Sequence, residues 1–292
     1  MCGVNMRVLV TGGNGQLGSE WVSYLNRQEV EFIALPSSDF DLTDHADTRR
    51  VMGNLKPDLI INCAGYTKVD QAEEEPEKAF AVNSEGVKNL ADYCASNNIK
   101  LVHFSTDYVF PGTKEDLQNY PQGYSEDHST DPVNTYGESK LAGEQAIRES
   151  GCEFIIIRVA WLCGKHGSNF VKKMLKMGRE REELNVINDQ LGCPSFAHNV
   201  VQNCWKLVAE NKLGTYHICS EGKISWYDFA KEIFEQMEIQ VNLKPVSSSE
   251  FPAKAKRPAF SLLNTQKISN ITGIKLIDWK EGLKNLLAEL RV

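Results

Sequence analysis

Five short apolar runs, separated by helix-like segments, constrain the fold of this chain more than any other feature. They comprise residues 7–11, 31–35, 58–63, 99–105 and 153–159. Strands that are apolar at nearly every position are buried on both faces, which is typical of a parallel sheet covered by helices. Between the first two runs, Leu17, Trp21 and Leu25 recur at helical spacing. The alternation therefore predicts an α/β fold with a doubly wound parallel sheet.

A glycine-rich turn, residues 11–18 (TGGNGQLG), follows the first run and opens a helix. A tight turn needs residues that can adopt positive φ, and close approach to a pyrophosphate leaves no room for a Cβ atom. The free amides at the helix start can then receive the phosphate charge. The strand–turn–helix context predicts a Rossmann-type dinucleotide site. Its cofactor-binding residues would be Gly12, Gly15, Gln16, Leu17 and Gly18.

The end of the second run bears on which dinucleotide binds. An acidic residue at this point would bond the ribose 2′-hydroxyl and repel a 2′-phosphate. Here the run continues into Pro36, and Asp41 comes later. This arrangement permits NADPH and leaves NADH possible, with Asp41 and Leu42 placed beside the adenine.

A tyrosine and a lysine, Tyr136 and Lys140, stand four residues apart on one face of a predicted helix. The reference pKa of tyrosine, about 10, is too high for easy proton exchange at neutral pH, and a nearby cation lowers it. Such a tyrosine can protonate a carbonyl oxygen as hydride arrives at the carbon. Thr106 and Asp107 end a core strand, at the edge where α/β folds bind ligands. Thr106 could hydrogen-bond the substrate oxygen.

Composition excludes several other classes of protein. The 32 basic and 39 acidic residues give a net charge of −7, which argues against nucleic acid as a partner. No stretch approaches the roughly 20 apolar residues of a membrane helix, and the N-terminus lacks the apolar region of a secretion signal. The eight scattered cysteines contain no CxxC pair, which argues against zinc and fits a reducing compartment. We therefore expect a cytoplasmic protein that acts on a small molecule, with no membrane partner.

These motifs and four others resemble those of the dTDP-4-dehydrorhamnose reductases, a family of extended short-chain dehydrogenases/reductases. The four are residues 62–70 (NCAGYTKVD), 105–110 (STDYVF), 186–190 (VINDQ) and 257–261 (RPAFS). The resemblance runs from about residue 6 to the end of the chain. It implies NADPH-dependent reduction of the C4 keto group of dTDP-4-dehydro-L-rhamnose, the last step of dTDP-L-rhamnose synthesis.

The resemblance also implies a role for individual residues. Tyr136 would supply the proton, Lys140 would hold the nicotinamide ribose and tune Tyr136, and Thr106 would position the keto oxygen. Further cofactor contacts would come from Cys63, Ala64 and Gly65. The nucleotide sugar would meet Thr106, Asp107, Trp161, Asn169, Gln190 and Arg257. In that set the indole of Trp161 offers a flat apolar wall, and the guanidinium of Arg257 offers a charge-assisted fork for a diphosphate.

Some members of the family bind Mg²⁺ through glutamates at a dimer interface. Glu20 matches one of those positions, but His198 stands where another glutamate would align. The sequence therefore predicts no metal site, and both a monomer and a homodimer stay open. Cys163 replaces a tyrosine that is usual in the family.

Two alternatives to this function stay open. Another extended nucleotide-sugar reductase or 4-epimerase would use the same Tyr136 and Lys140, and an epimerase would retain tightly bound NAD and return the hydride. A non-catalytic regulatory subunit could share the fold, as the methionine adenosyltransferase β subunit does.

The chain divides into two expected domains. Residues 1–164, with a helix near 197–208, should form the NAD(P)-binding Rossmann domain. Residues 165–292 should form mainly a smaller, discontinuous, mixed α/β substrate-binding domain. Helices are expected to start at residues 225–228 and 278–281. The polar stretch 111–134 is predicted to be a functional loop, and the acidic run 73–75 a solvated helix start.

Overall fold

The computed structural model describes residues 6–251 and 253–291. Its strands are β1 Val8–Thr11, β2 Phe32–Leu35, β3 Leu59–Asn62, β4 Lys100–Thr106, β5 Phe154–Val159, β6 Leu162–Cys163, β7 Glu183–Ile187, β8 Leu191–Gly192, β9 Ser195–Phe196, β10 Gly214–His217, β11 Ile224–Ser225 and β12 Asn242–Val246. Its α-helices are α1 Gln16–Arg27, α2 His45–Leu55, α3 Val69–Ala72, α4 Pro76–Phe80, α5 Gly86–Asn97, α6 Asp116–Asn119, α7 Thr135–Ser150, α8 Phe170–Glu180, α9 Ala197–Ala209, α10 Trp226–Gln236, α11 Gln266–Thr272 and α12 Trp279–Leu290. A π-helical turn, Ala81–Glu85, joins α4 to α5, and 3₁₀ turns span Asp107–Val109 and Ser248–Glu250.

One six-stranded sheet organises the chain, in the order β10-β5-β4-β3-β1-β2. Every pairing in it is parallel. All five apolar runs form strands of this sheet, so the predicted doubly wound α/β fold is confirmed. The sixth strand, β10, comes from the C-terminal half of the chain and was not predicted.

Different helices cover the two faces of the sheet. One face, which includes Val10 and Ile157, packs against α1 and α9 around the fully buried Trp21. The opposite face, which includes Leu9 and Ile156, packs against α2, α5 and α7. Because side chains alternate between faces along a strand, a strand that is apolar throughout needs a helix layer on each side.

A third apolar core lies mostly among the elements that follow β5. Helices α8, α10 and α12 contribute the fully buried Val171, Phe229 and Leu283 to it. Both predicted helix starts are confirmed, because Ser225 caps α10 in a capping box and Asp278 caps α12. The division into domains at residue 164 stays a prediction.

The polar stretch 111–134 is largely irregular apart from α6, as its composition predicts. Tyr124 anchors it: the ring is fully buried and stacks on Phe110 with centroids 4.5 Å apart. The Tyr124 hydroxyl also donates to the Asp116 carboxylate. Among the described residues, no helix is both long enough and apolar enough to cross a bilayer.

Candidate active site

The glycine-rich turn packs β1, α1 and the chain after β3 closely together. Gly12 has a φ of +63°, and a Cβ there would lie 2.7 Å from the backbone nitrogen of Ala64. A Cβ on Gly18 would overlap the carbonyl oxygen of Gly12. Gly15 precedes α1, and within the described chain no side chain caps that helix. The first amides of α1 therefore face a groove that suits a pyrophosphate.

Two of the predicted cofactor-binding residues of the turn, Gln16 and Leu17, are not glycines, and they are held differently. Gln16 bridges to the second half of the chain, because its Nε2 donates to the Leu162 carbonyl at 3.0 Å. Leu17 is buried in the apolar core between α1 and the sheet. Gln16 is thus the polar residue at this end of the groove.

The chain after β2 forms the far end of the same groove. It runs through the half-buried Pro36 to the exposed Asp41, whose Oδ1 accepts the Thr43 amide at 2.9 Å. Leu42 is buried against Gly86, where a Cβ would overlap the leucine side chain. The apolar Leu42 and the carboxylate of Asp41 thus lie at the edge where adenosine was predicted.

The turn after β3 reaches helix α7. Asn62 holds this turn by accepting the Ala64 amide at 3.1 Å. Cys63 is half-buried, and Gly65 is exposed. A Cβ on Gly65 would lie 4.0 Å from the Nζ atom of Lys140, so this turn and the lysine line the same space.

Tyr136 and Lys140 lie on consecutive turns of α7, beside the end of β4. Asn134 caps this helix by accepting the Gly137 amide at 2.8 Å. The Tyr136 ring packs edge-on against Tyr108, with centroids 5.6 Å apart. The structure therefore brings the tyrosine and the lysine to the carboxyl edge of the sheet, where the sequence placed them.

The pKa of Tyr136 differs from the sequence prediction. Burial raises it to about 12, the nearby Thr106 hydroxyl lowers it, and the Asp107 carboxyl raises it. We expected the Lys140 ammonium to lower the pKa of Tyr136, and this expectation was wrong. The reason is that enclosure of the phenol outweighs the stabilisation that its phenolate receives.

Lys140 is itself deeply buried. Its Nζ donates to the Phe104 carbonyl at 2.6 Å and lies 3.3 Å from Nε2 of His103. Burial lowers the pKa of Lys140 to about 8, although the Glu144 carboxylate raises it. The amine can therefore change its protonation state close to neutral pH.

Asp107 and Thr106 form the polar floor beside the tyrosine. The Thr106 hydroxyl donates to Oδ1 of Asp107 at 2.9 Å. Oδ2 of Asp107 is buried and has no hydrogen-bond partner among the described residues. Burial raises the pKa of Asp107 to about 7, despite the bond from Thr106. A ligand hydroxyl would satisfy this buried oxygen.

Trp161 has an unusual backbone and a stacked ring. Its φ of +48° is left-handed, which a non-glycine residue adopts at a cost. Its indole stacks on Trp226, with centroids 3.5 Å apart and an angle of 14° between the planes. Gly192 lies beneath it, where a Cβ would be 2.9 Å from the ring. The sequence predicted a helix start at residues 225–228 but gave no signal of this pairing.

Asn169 and Gln190 lie in the second half of the chain. Asn169 caps α8, and its Nδ2 donates to Oε1 of Gln16 at 2.8 Å and to the Gly164 carbonyl at 2.8 Å. It thus fixes the side chain that closes the glycine turn. Gln190 is buried just before β8.

Arg257 is tied to the first half of the chain by Asp70. Its Nη2 lies 2.9 Å from Oδ2 of Asp70, and the Ala255 amide donates to Oδ1 of the same carboxylate at 3.1 Å. Nη1 of Arg257 is buried and unpaired within the described chain. Asp70 was not identified from the sequence as part of the site. A signal was present, because Asp70 ends the motif 62–70 and Arg257 begins the motif 257–261.

The acidic run 73–75 precedes a helix, as predicted, and also contacts the start of helix α7. The helix does begin next, at Pro76. However, Glu73 accepts the Thr135 amide at 2.9 Å, the first amide of the helix that carries Tyr136. Asn134 in turn donates to the Lys256 carbonyl at 2.8 Å. The start of α7 is therefore held by both halves of the chain.

The residues around Glu20 do not fit a divalent metal. Nδ1 of His198 lies 3.2 Å from the Glu20 carboxylate, and Nη2 of Arg27 lies 3.8 Å from it. The Arg27 guanidinium already supplies a positive charge there. Across the described residues, no three acidic, histidine or cysteine side chains group as ligands for a metal ion.

The parallel sheet, the glycine turn and the tyrosine–lysine pair define an extended short-chain dehydrogenase/reductase. The family model described as the RmlD substrate binding domain matches residues 6–292. A dTDP-4-dehydrorhamnose reductase of Sinorhizobium fredii is 36% identical over 293 residues, which cover 97% of each chain. The protein belongs to the dTDP-4-dehydrorhamnose reductase family.

Two further relatives agree with this assignment. The spore coat polysaccharide biosynthesis protein SpsK of Bacillus subtilis is 37% identical, with 97% of each chain covered. The crystal structure of a dTDP-4-dehydrorhamnose reductase from Bacillus anthracis, in complex with NADP, superimposes with a TM-score of 0.93. It is 40% identical and covers 97% of this chain and 99% of its own.

Proposed function

We propose that this protein uses NADPH to reduce the C4 keto group of dTDP-4-dehydro-L-rhamnose, giving dTDP-L-rhamnose. The observation that carries the proposal is the position of Tyr136 and Lys140. Both lie at the carboxyl edge of the sheet, and the Lys140 amine adjoins the turn after β3 that packs on the glycine loop. The names of the relatives support the choice of substrate.

The cofactor would lie along the groove between the glycine turn and α7. Gly12, Gly15, Gln16, Leu17 and Gly18 would hold the pyrophosphate end. Asp41 and Leu42 would border the adenine, and the absence of an acid directly after β2 leaves room for a 2′-phosphate. Cys63, Ala64, Gly65, Tyr136 and Lys140 would line the nicotinamide end. NADH remains usable in this arrangement.

Proton donation would fall to Tyr136. When bound, NADPH supplies the hydride for the carbonyl carbon. The raised pKa of Tyr136, about 12, keeps its hydroxyl protonated at neutral pH and therefore ready to donate. Thr106, which shares a bond with Asp107, would orient the keto oxygen toward that hydroxyl. Lys140 would hold the ribose and stabilise the phenolate that forms.

The sugar nucleotide would occupy the side of the groove formed by the second half of the chain. Trp161 would provide a flat wall for the sugar, and the unpaired Oδ2 of Asp107 would bond a sugar hydroxyl. Arg257 would meet the diphosphate with its free Nη1 atom. Gln190 and Asn169 would complete this side of the site, and Asn169 also fixes Gln16.

We also propose the domain division at residue 164 and a cytoplasmic location. Helix α9 packs with the sheet core, which supports its assignment to the cofactor domain. Seven cysteines of the described chain are free thiols, as suits a reducing compartment.

The decisive experiment mixes the purified protein with dTDP-4-dehydro-L-rhamnose and NADPH and follows the nicotinamide absorbance. We expect the absorbance to fall and dTDP-L-rhamnose to form, as identified by NMR of the product. Tyr136→Phe should keep its affinity for NADPH and lose at least about 10²-fold in turnover. An unchanged absorbance, or protein that carries bound NAD and interconverts C4 epimers, would contradict the proposal. Near-normal turnover by the variant would remove Tyr136 as the proton donor.

A further inference from the structure

A row of buried polar side chains crosses the sheet beneath the proposed cofactor groove. Thr11, Asn62 and His103 occupy neighbouring positions on β1, β3 and β4, where Thr11 pairs with Asn62 and Asn62 pairs with His103. Their exposures are 1%, 1% and 0%. The row ends at Lys140, and the mechanism above uses neither Asn62 nor His103. Polar groups this deep are costly to bury, so their hydrogen bonds decide what they do.

The bonds of Asn62 fix which of its side-chain atoms faces the histidine. The Thr11 hydroxyl lies 2.6 Å from Oδ1 of Asn62, and the Ala64 amide donates to the same oxygen at 3.1 Å. Because a backbone amide can only donate, that atom must be the carbonyl oxygen. The amide nitrogen of Asn62 therefore faces Nδ1 of His103, at 3.0 Å.

The tautomer of His103 follows from this contact. An amide nitrogen can only donate, so Nδ1 of His103 is the acceptor and carries no proton. Burial holds the pKa of His103 well below its usual range, and the Lys140 charge lowers it further, so the ring is neutral. Its one N–H is then on Nε2, which lies 3.3 Å from Nζ of Lys140. A donor hydrogen thus faces the lysine amine.

We propose that His103 is a positioning residue for the reduction, which presents an N–H to Lys140 and so weakens the hold of that amine on its proton. The proposal rests on the function proposed above, in which Lys140 holds the ribose beside Tyr136. The ammonium form of Lys140 would place two donors against each other, whereas the neutral amine can accept the histidine hydrogen. Asn62 controls this effect because it fixes the tautomer.

Other groups around Lys140 also affect the protonation of its amine, and some of them favour the ammonium form. On α7, Glu144 one turn further along favours the ammonium form, and Tyr136 lies one turn before. A thiolate at Cys63, after β3, would also favour the ammonium form of Lys140. The Phe104 carbonyl accepts a bond in either protonation state. Burial lowers the pKa of Lys140 to about 8, close enough to neutrality for one hydrogen bond to matter.

The first test reads the tautomer in the intact protein without any substrate. Protein labelled with ¹⁵N-histidine is examined by ¹H–¹⁵N correlation spectra, and His103 is assigned by the signal that His103→Gln loses. We expect an unprotonated Nδ1 and a protonated Nε2 from pH 6 to pH 9. A proton on Nδ1 would overturn the proposal, because Nε2 would then accept from the ammonium.

The second test measures the effect on Lys140. Protein labelled with ¹³C at the lysine Cε is titrated, and Lys140→Arg identifies the signal. In His103→Gln the new side chain can turn a carbonyl oxygen toward the Lys140 amine. The titration midpoint of Lys140 should therefore rise by about one pH unit, a tenfold gain in proton affinity. Thr48→Val is the matched control: it removes a buried hydroxyl on α2 that takes no part in the row and should leave the midpoint unchanged.

An unchanged midpoint in His103→Gln, or an equal shift in Thr48→Val, would refute the role of His103. The alkaline limb of turnover against pH should move with the midpoint, which a merely structural residue would not cause. These outcomes are distinct from failure of the proposed function. A protein that does not reduce the sugar nucleotide would still give the tautomer and the titration.

Discussion

Glu144 offers the most quantitative prediction for the stability of the fold. Its side chain is fully buried and forms a bidentate pair with the equally buried Arg158, at 2.9 and 2.7 Å. Burial alone would raise its pKa, but Arg158 holds the pKa at about 2, against an ordinary value of 4.5. At about 1.4 kcal/mol for each pH unit, this difference corresponds to about 3 kcal/mol. Breaking a buried ion pair typically costs about 3–5 kcal/mol.

We therefore expect Glu144→Gln to lose about 3 kcal/mol of unfolding free energy at pH 7, measured by urea unfolding. A carboxyl whose pKa is lowered by folding stabilises the fold when the pH is above the pKa of the unfolded chain, here 4.5. This contribution disappears as the pH falls toward the folded-state pKa of about 2. The difference between variant and parent should shrink over that range. Arg148→Gln is the control, because the exposed Arg148 bonds the same carboxylate and its loss should cost at most about 1 kcal/mol. Equal stability at pH 7, or a difference that persists unchanged to pH 3, would refute this reasoning.

Three further predictions concern the site. Lys140→Ala should weaken both turnover and NADPH binding, because the amine adjoins the turn proposed to hold the nicotinamide ribose; kinetics and fluorescence titration measure the two effects. Gly18→Ala should weaken NADPH binding at least about tenfold, because its Cβ would push α1 off the glycine turn, whereas Gly53→Ala meets open space and should bind normally. Trp226→Leu should raise KM for the sugar nucleotide roughly two- to twelvefold, because stacking of this kind contributes about 0.5–1.5 kcal/mol and here supports Trp161.

Each of these has a contradicting outcome. Unchanged NADPH affinity in the lysine variant would show that the amine does not reach the cofactor. Equal NADPH affinities in the two glycine variants would mean that close packing at the turn does not decide the result. A Trp226 variant with normal KM but reduced kcat would place that residue with the chemistry instead of the sugar wall.

The sequence was sufficient for the elements whose signal is local. Four of the five predicted strands, β1, β2, β3 and β5, have at most one residue that is not apolar. The capping residues Ser225 and Asp278 likewise mark the starts of their helices. The edge strand β10 escaped prediction because Gly214, Thr215 and His217 leave Tyr216 as its one apolar residue. Its pairing with β5 depends on tertiary contacts that no short window contains.

In the candidate site, too, local features could be predicted from the sequence and features that depend on tertiary contacts could not. The spacing of Tyr136 and Lys140 on one helix face could be read directly, and the structure places both at the sheet edge. The pKa of Tyr136 could not be predicted from the sequence, because it depends on how much protein encloses the hydroxyl. Asp70 meets Arg257 only when distant segments fold together. Residue type thus predicted what chemistry is available, whereas burial and pairing required coordinates.

The late strand β10 has a consequence for how this protein is made. Residues 214–217 must emerge from the ribosome before the outer edge of β5 acquires its neighbour. A fragment that stops at residue 164 would leave that edge, and the apolar face that α9 shields, open to other nascent chains. The nucleotide-binding half is therefore expected to complete its folding only after synthesis is well into the other half, and truncated products should aggregate.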